Sequence, residues 1–570
     1  MIKIIRFFIL FIIVTFSSNC GTKQINTKEH KADLVVNKIQ QSSVKLWHQK
    51  DNRQDTIPGI SLDKWYSQNK KAAKSIDIVV AVIDTQIDLK HEDLLGQFWI
   101  NTKEIANNGV DDDSNGYIDD SNGWNFIGTK KGSTVWSNFE FVRIVREYEK
   151  QFRSIKKSEV LNNDLNSYAE YIRANKKLDQ EKRYYQNWLK SLKHDIVKFP
   201  IAKDSLKLYF PQEDYSYQQL DSMYKKYKIN DKSYMQRRDD GDDDFGALIE
   251  IVMASYEIKQ FSIDDIKRNE EEIDSIVNRN LNVSYNERHF FDLNDHVFDK
   301  GYGNNNVGSN LSGITINNHS TRVSGIIAAN RSNGIGVKGI TSNVKIMSLS
   351  ISPSGDEHDK DIALAIRYAV DNGAKIINMS FGKEFSLNKE WVKEAFKYAE
   401  QHNVLLVHSA GNNSFNVDVN PYYPTDVAYE DGSKEVCGNF ISVGATTAKM
   451  DSTLVASFSN YGKKNVDLFA PGDKIYTTSA GNTYKSDSGT SLAAPMVSGT
   501  AALIWSYYPK LTAKEVKQII LESGTAYDIE VLVPGGEGKK VKFSELSKSG
   551  KVLNVYDAME LAKKVSKKKR

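Results

Sequence analysis

The sequence predicts an α/β protein whose parallel sheet is covered by helices on both faces and interrupted by a long helical insertion. Three observations carry that prediction. Runs of consecutive apolar, often β-branched residues recur along the chain, the first being Ile78-Val79-Val80-Ala81-Val82-Ile83; runs without polar alternation suit strands buried on both faces. Segments with apolar residues at helical spacing separate the later runs, as strand–helix–strand units require. Residues 134–300 break this rhythm, being rich in Lys, Glu, Asp and Tyr with apolar residues at helical spacing.

The chain opens as a targeting segment. Lys3 and Arg6 supply positive charge, Phe7 to Phe16 is an apolar run broken by Thr15, and small polar residues lead to Cys20. The run is short for a bilayer span. Residues 1–20 therefore read as a signal peptide and 21–46, mostly polar, as a tether. Residues 47–133 begin the folded chain, with a helix expected over 62–71 and the first strand over 78–83. Its partners lie far downstream. Strands are expected at 344–349, 376–380, 404–407, 440–443 and 466–469, and helices at 361–372, closed by Gly373, and at 390–402.

Within the insertion, Phe141, Ile144, Val145, Tyr148 and Phe152 fall on one helical stripe; Tyr185, Trp188, Leu189, Leu192 and Ile196 fall on another. Aromatic stripes at this spacing are packing surfaces far more often than ligand sites. The acidic stretch Asp239–Asp244 reads as a solvated loop. Residues 301–562 resume the α/β rhythm. The end, 563–570, carries Lys567-Lys568-Lys569-Arg570 and reads as a solvated basic tail.

A chain of 570 residues with 40% apolar content has room for one large domain and additions. Its net charge of +3 gives no electrostatic reason to expect a nucleic-acid partner. The two cysteines, Cys20 and Cys437, lie far apart and lack zinc-site spacing, which argues against a structural disulfide or a zinc module.

Hydrolysis of a peptide bond by a serine needs an exposed nucleophile, a base, an acid to orient the base and donors for the oxyanion. Gly489-Thr490-Ser491-Leu492-Ala493-Ala494-Pro495 places Ser491 at the start of a helix built from small residues. Unpaired N–H groups and the helix dipole favour developing negative charge there. Asp84 ends the first buried run as Asp84-Thr85-Gln86. His319 opens His319-Ser320-Thr321-Arg322-Val323-Ser324-Gly325, and Ser409-Ala410-Gly411-Asn412 follows another strand. These four segments resemble the aspartate, histidine, oxyanion-asparagine and serine boxes of the subtilases. They stand in the order Asp, His, Ser used by subtilisin.

The resemblance covers roughly 47–128 and 301–562 and implies a three-layer subtilisin-like fold and a serine endopeptidase. Asp84, His319 and Ser491 would form its triad, with Asn412 in the oxyanion hole and no cofactor for catalysis. Ser380-Phe381-Gly382 and Ser409-Ala410-Gly411 resemble the two backbone strips that bind an extended protein or peptide substrate. The sequence departs from the boxes at Gln86, where a glycine is usual, at Ser320 and Arg322 beside the base, and at Leu492. Gln86 in place of glycine calls for a different turn. Arg322 adds a positive charge near a group that must become positive. None of these removes a reacting group. A second reading, of another class, is a lipid-anchored, catalytically impaired relative that binds peptides or proteins.

Ser17-Ser18-Asn19-Cys20 resembles the lipoprotein boxes of Bacteroidetes, which implies acylation of Cys20, attachment to a membrane and a place in the bacterial cell envelope, the outer membrane in particular. Asp111, Asp113 and Asn115, then Gly116 and Asp119-Asp120, follow the start of a calcium loop. Asn122 stands where an EF-hand would place a bidentate Glu, so structural Ca2+ is expected without that module. The stripes of the 134–300 insertion imply that it packs against something. Its position before His319 suggests a cap over the cleft or a docking surface for a partner protein.

Overall fold

The computed structural model describes residues 45–69, 75–129, 132–290, 297–309, 318–429 and 434–569. The signal segment, Cys20 and the tether up to residue 44 lie outside them. The chain divides into two compact units. One contains Asn175–Asn282; the other contains the described residues up to Ala174 and those from Val283 onward. The insertion expected over 134–300 is thus divided, and its two ends belong with the sheet.

The larger unit is built on a nine-stranded sheet. Its order is Thr525–Ala526, Lys551–Val552, Leu468–Pro471, Phe440–Thr446, Leu405–Ser409, Ile376–Met379, Ile78–Asp84, Val344–Ser350 and Gly123–Asn125. Neighbours run parallel, as in the register Ile78↔Val344 through Asp84↔Ser350, except Thr525–Ala526, which is antiparallel to Lys551–Val552.

Alternate residues of each strand feed opposite cores. Val80, Val82, Ile346, Leu405 and Val443 pack on one face with the helices His319–Ala328 and Thr490–Tyr507. Ala81, Ile83, Met347, Leu349 and Ile377 pack on the other with Asp359–Asp371 and Lys389–Gln401. A side chain cannot reach both faces, so a strand apolar on both needs a helix layer on each side. The expected strands and helices form with ends displaced by at most three residues. Gly373, at φ +82°, follows its helix as foreseen.

The insertion's first helix, Glu140–Phe152, buries Phe141, Val142, Ile144 and Val145. Its first turn joins a buried ionic network. Glu140 pairs with Arg143 and, at 3.3 Å, with the Lys383 ammonium. Lys383 Nζ also reaches Asp359 Oδ1 at 2.8 Å and donates to the Glu357 carbonyl at 2.6 Å. The Glu140 N–H donates to Asp356 Oδ2 at 2.7 Å. From the insertion's other end, Glu287 bonds His358 Nε2 at 2.6 Å.

The Asn175–Asn282 unit contains the helices Tyr217–Tyr227, Tyr234–Asp240, Phe245–Glu257 and Ile263–Ser275. Leu192, Leu206, Leu220, Ile249 and Ile273 lie in its interior. Ser216, Ser233 and Ser262 cap three of these helices with reciprocal bonds. The acidic stretch is more ordered than expected: Asp239 and Asp240 end one helix, and Asp244 caps the next by accepting from Ala247 N. The basic end also differs from the expected tail. Val555–Lys567 is one helix, and Lys569 pairs with Glu515 at 2.6 Å. Its buried Val555, Ala558, Met559 and Ala562 anchor an amphipathic face, and the lysines occupy the other.

Among the described residues no helix is long and apolar enough to cross a membrane.

Candidate active site

Parallel sheets gather functional groups at the carboxyl ends of their strands. Asp84 is the last residue of Ile78–Asp84 and is 1% exposed. Its carboxylate accepts from Thr85 N at 2.7 Å and faces His319 Nδ1, which lies 2.9 Å from both oxygens. An Nδ1–H donated to this carboxylate leaves Nε2 as the basic nitrogen. His319 opens its helix, and the Ser320 N–H donates to Thr85 Oγ1 at 3.1 Å. The turn after the acid is therefore bonded to the backbone beside the base.

The departures from the boxes are absorbed locally. Gln86 is not among the residues with positive φ, so no glycine is required there. Its Nε2 donates to the Asn306 carbonyl at 2.9 Å. The Arg322 guanidinium is paired with Asp487. Thr477 and Thr478 donate to the Arg322 and Thr321 carbonyls at 2.9 and 2.7 Å, stapling the His319 helix to the strand Ile475–Ser479. That strand's partner, Thr483–Asp487, leads directly into Gly489 and Ser491.

Ser491 is the second residue of Thr490–Tyr507, and Leu492 to Ser506 behind it are all buried. Pro495 has no N–H to offer the carbonyl four residues back, which is that of Ser491. Ser380 fills the vacancy by donating its hydroxyl to Ser491 O at 2.9 Å. Asn378 and Ser498 continue the chain of bonds at 2.9 and 2.8 Å. A Cβ on Gly489 would lie 2.8 Å from Ser491 Oγ and 3.5 Å from Asn412 Nδ2. Those two groups thus face one small space, and glycine leaves it open.

The orientation of Asn412 follows from its partners. Its Oδ1 accepts from Thr490 N and Thr490 Oγ1, both at 2.9 Å. A carbonyl oxygen so engaged turns the amide NH2 the other way. Thr490 Oγ1 accepts in turn from Gly411 N at 3.1 Å. Gly411 has φ +105°, a region glycine enters without strain.

The two expected strips lie at neighbouring strand ends. Ser380-Phe381-Gly382 follows Ile376–Met379, and Ser409 closes Leu405–Ser409 ahead of Ala410 and Gly411. Those strands are parallel neighbours. Beyond the backbone role expected of the strip, the Ser380 hydroxyl holds the Ser491 backbone. Thr490 stands in the serine box, but the box alone gives it no role; the fold makes it the residue that orients Asn412.

In the acidic loop the structure gathers Asp111 and Asp113 with Glu104, one carboxylate oxygen from each lying within 4.8 Å of the others. Glu104 had no place in the sequence pattern, because it precedes the loop. Asp119 instead accepts from Asn108 N and Gly109 N at 3.0 and 2.9 Å. Asp120 accepts from Asn101 and Asn115 at 2.7 and 2.9 Å and from Tyr368. Asn115 Oδ1 accepts from Tyr117 N. Partial burial, then the charges of Asp120, Asp113 and Asp112, push the Glu104 carboxyl upward. Three hard oxygen donors with unfavourable mutual charge suit a divalent cation.

A family model described as "Subtilase family" matches residues 75–543. The chain is 37% identical over 236 residues to the cell wall-associated protease of Bacillus subtilis (strain 168), covering 41% of this chain and 24% of that protein. It is 38% identical over 208 residues to the thermophilic serine proteinase of Bacillus sp. (strain AK1), covering 36% and 47%. The chain thus spans less than half the length of either relative. Among solved structures, one titled "Structure of Prenylagaramide maturation protease PagA" matches at 27% identity with a TM-score of 0.35. That match covers 43% of this chain and 83% of the other.

Proposed function

This chain belongs to the subtilase family, and from that premise we propose that it is a serine endopeptidase acting on proteins or peptides. One observation carries the reading: Asn412 spends its carbonyl on Thr490 and turns its NH2 toward the space shared with Ser491 Oγ, while Asp84 holds His319 by Nδ1. Ser491 Oγ attacks the scissile carbonyl, and His319 Nε2 takes its proton. Asp84 stabilises the imidazolium that forms. The oxyanion receives the Asn412 Nδ2–H and the Ser491 backbone N–H. His319 then protonates the leaving amine, and water releases the acyl group by the same route. The strips 380–382 and 409–411 hold the substrate backbone through main-chain bonds.

A fluorophosphonate probe tests the reading. Labelling of Ser491 in the wild type, absent in Ser491→Ala, is expected. A folded wild type that binds peptides but takes no label overturns it in favour of the binding protein.

Two accessory features belong to the same proposal. Glu104, Asp111 and Asp113 hold Ca2+, which supplies structural charge neutralisation and no catalytic step. At a hundredfold excess over its dissociation constant such an ion stabilises by about 2.7 kcal/mol; chelator should lower the melting temperature of the wild type and not that of Asp113→Ala. Cys20, outside the described residues, carries the lipid that fixes the protein to the bacterial envelope, and Cys20→Ser should abolish labelling with palmitate.

A further inference from the structure

The two substrate strips each carry a glycine at their third position, Gly382 and Gly411, and one tyrosine ring sits against both. A Cβ on Gly382 would overlap Tyr422 Cε1; one on Gly411 would lie 2.6 Å from that same atom and 2.7 Å from Tyr422 Cζ. The ring edge therefore occupies the crevice between the strips. This crevice adjoins the reacting atoms: Ser380 bonds the Ser491 carbonyl, and Gly411 immediately precedes Asn412.

The ring is held in place from several sides. Its hydroxyl donates to the Gly382 carbonyl at 3.0 Å. Its body packs on Ala410, Val417 and Val466. The next residue, Tyr423, exchanges two backbone hydrogen bonds with Lys383, both 2.8 Å long. Lys383 is fixed in turn by Asp359 and the Glu357 carbonyl. The crevice cannot widen without breaking that ladder and uncovering a buried ammonium. Tyr422 as a whole is half-buried, while burial of its phenol holds the hydroxyl well above its ordinary range.

We propose that Tyr422 closes the side-chain crevice between the strips, so that the enzyme selects substrates with a small residue, such as Ala, Gly or Ser, on the acyl side of the scissile bond. The proposal rests on the peptidase reading above and adds its substrate class. A Leu or Phe there meets the ring edge and must expel it, losing the bond to Gly382 and the packing on Ala410. Pockets that cannot relax discriminate by about 10–200-fold per misfitting methylene, so an Ala over Phe preference of about 100-fold or more is expected.

The test uses the full chain and matched peptides that differ only in that residue. Wild type should favour Ala over Phe by about 100-fold in kcat/KM. Tyr422→Gly should raise the Phe peptide by a similar factor and shift the Ala peptide much less. Tyr422→Phe, which keeps the bulk and loses the hydroxyl, should keep most of the preference. Equilibrium binding of the same peptides to Ser491→Ala gives a readout independent of chemistry, with the same order expected. Equal kcat/KM or equal binding for the two peptides overturns the proposal, as does an unchanged ratio in Tyr422→Gly. If the probe fails to label Ser491 while the Ser491→Ala protein still discriminates Ala from Phe, the peptidase reading falls and the closed crevice stands.

Discussion

Around Ser491 the polar contacts run through hydroxyls, the amides of Asn412 and Asn378 and backbone groups, and its charges are Asp84 facing His319, with Arg322 paired to Asp487. At the root of the insertion the same unit buries Glu140, Arg143, Lys383, Asp359, Glu287 and His358 in one connected network. The first centre can stabilise charge as a reaction creates it; the second already holds its charge and uses it to tie segments together. Lys383 shows where the two meet, because it follows the strip 380–382 and is anchored in the ionic network. The difference separates two kinds of failure. Damage to the cleft should remove chemistry and spare the fold, and damage to the network should do the reverse.

The largest effect expected is in the cleft. Ser491→Ala or His319→Ala should lower kcat by several orders of magnitude, and the double variant should be little worse than either single one. Unfolding by urea should change by less than about 0.5 kcal/mol for Ser491→Ala, as for a substitution that breaks no buried contact of the side chain. Full activity of purified Ser491→Ala would remove the cleft's side of the comparison.

Next comes the network. Lys383→Met leaves Asp359 and Glu140 buried with less positive charge, and breaking a buried pair costs about 3–5 kcal/mol. Glu140→Gln and Asp359→Asn added to Lys383→Met should return part of that loss. A loss below about 1 kcal/mol for Lys383→Met would show that water reaches the network and the contrast is false.

A smaller effect carries a sign. Burial first, with the nearby Asp356 charge adding to it against the Ser352 hydrogen bond, raises the Glu357 carboxyl from 4.5 to about 7. The native state therefore binds more protons than the unfolded chain between those values, so this group makes stability fall as pH rises from about 4.5 to 7. Asp356, raised to about 6 chiefly by burial, acts in the same direction. Glu140 opposes them at lower pH. Burial pushes it up, but Lys383 and Arg143 outweigh burial and hold it at about 2, so its contribution is lost as pH falls from about 4.5 toward 2. Glu357→Gln should flatten the decline between pH 5 and 7.5 by on the order of 2 kcal/mol, read as urea midpoints, with the pH profile of kcat unmoved. An unchanged slope would mean that Glu357 is not held neutral by the fold.

These two centres were unequally legible in the sequence. Asp84, His319, Asn412 and Ser491 each sit in a contiguous box, so each is legible from its immediate neighbours alone. The sheet was legible because strands buried on both faces cannot alternate. The ionic network left no such trace: Glu140, Glu287, Asp359 and Lys383 are scattered over 244 positions, and each reads alone as an ordinary surface charge. Only the fold brings them together. Glu104 went unseen for the same reason, standing outside the spacing of its loop. Tyr422 was equally silent, since a tyrosine ten residues after Asn412 has no meaning until Gly382 and Gly411 converge on its ring.

The smallest effect bears on the boundary between the two plans. Arg322 stands three residues after His319, and in the sequence its charge bears on the imidazolium that the proposed mechanism forms. In the structure it is paired with Asp487, and the two side chains are 17% and 26% exposed. An ion pair that keeps partial access to water contributes up to about 1 kcal/mol. The His319 helix is also held there by Thr477 and Thr478 through backbone carbonyls, which no change of side chain at 322 removes. Arg322→Met keeps the apolar stem, so it should cost less than about 1 kcal/mol and change kcat/KM by less than about threefold. With Asp487→Asn in a double-mutant cycle, the coupling measured by urea unfolding should fall in the same range. The single variant Asp487→Asn is the sharper probe, because it leaves the Arg322 charge unneutralised. If kcat/KM then falls tenfold at pH 7 and Arg322→Met in that background restores it, the charge reaches His319, and the cleft depends on a fixed ion pair after all.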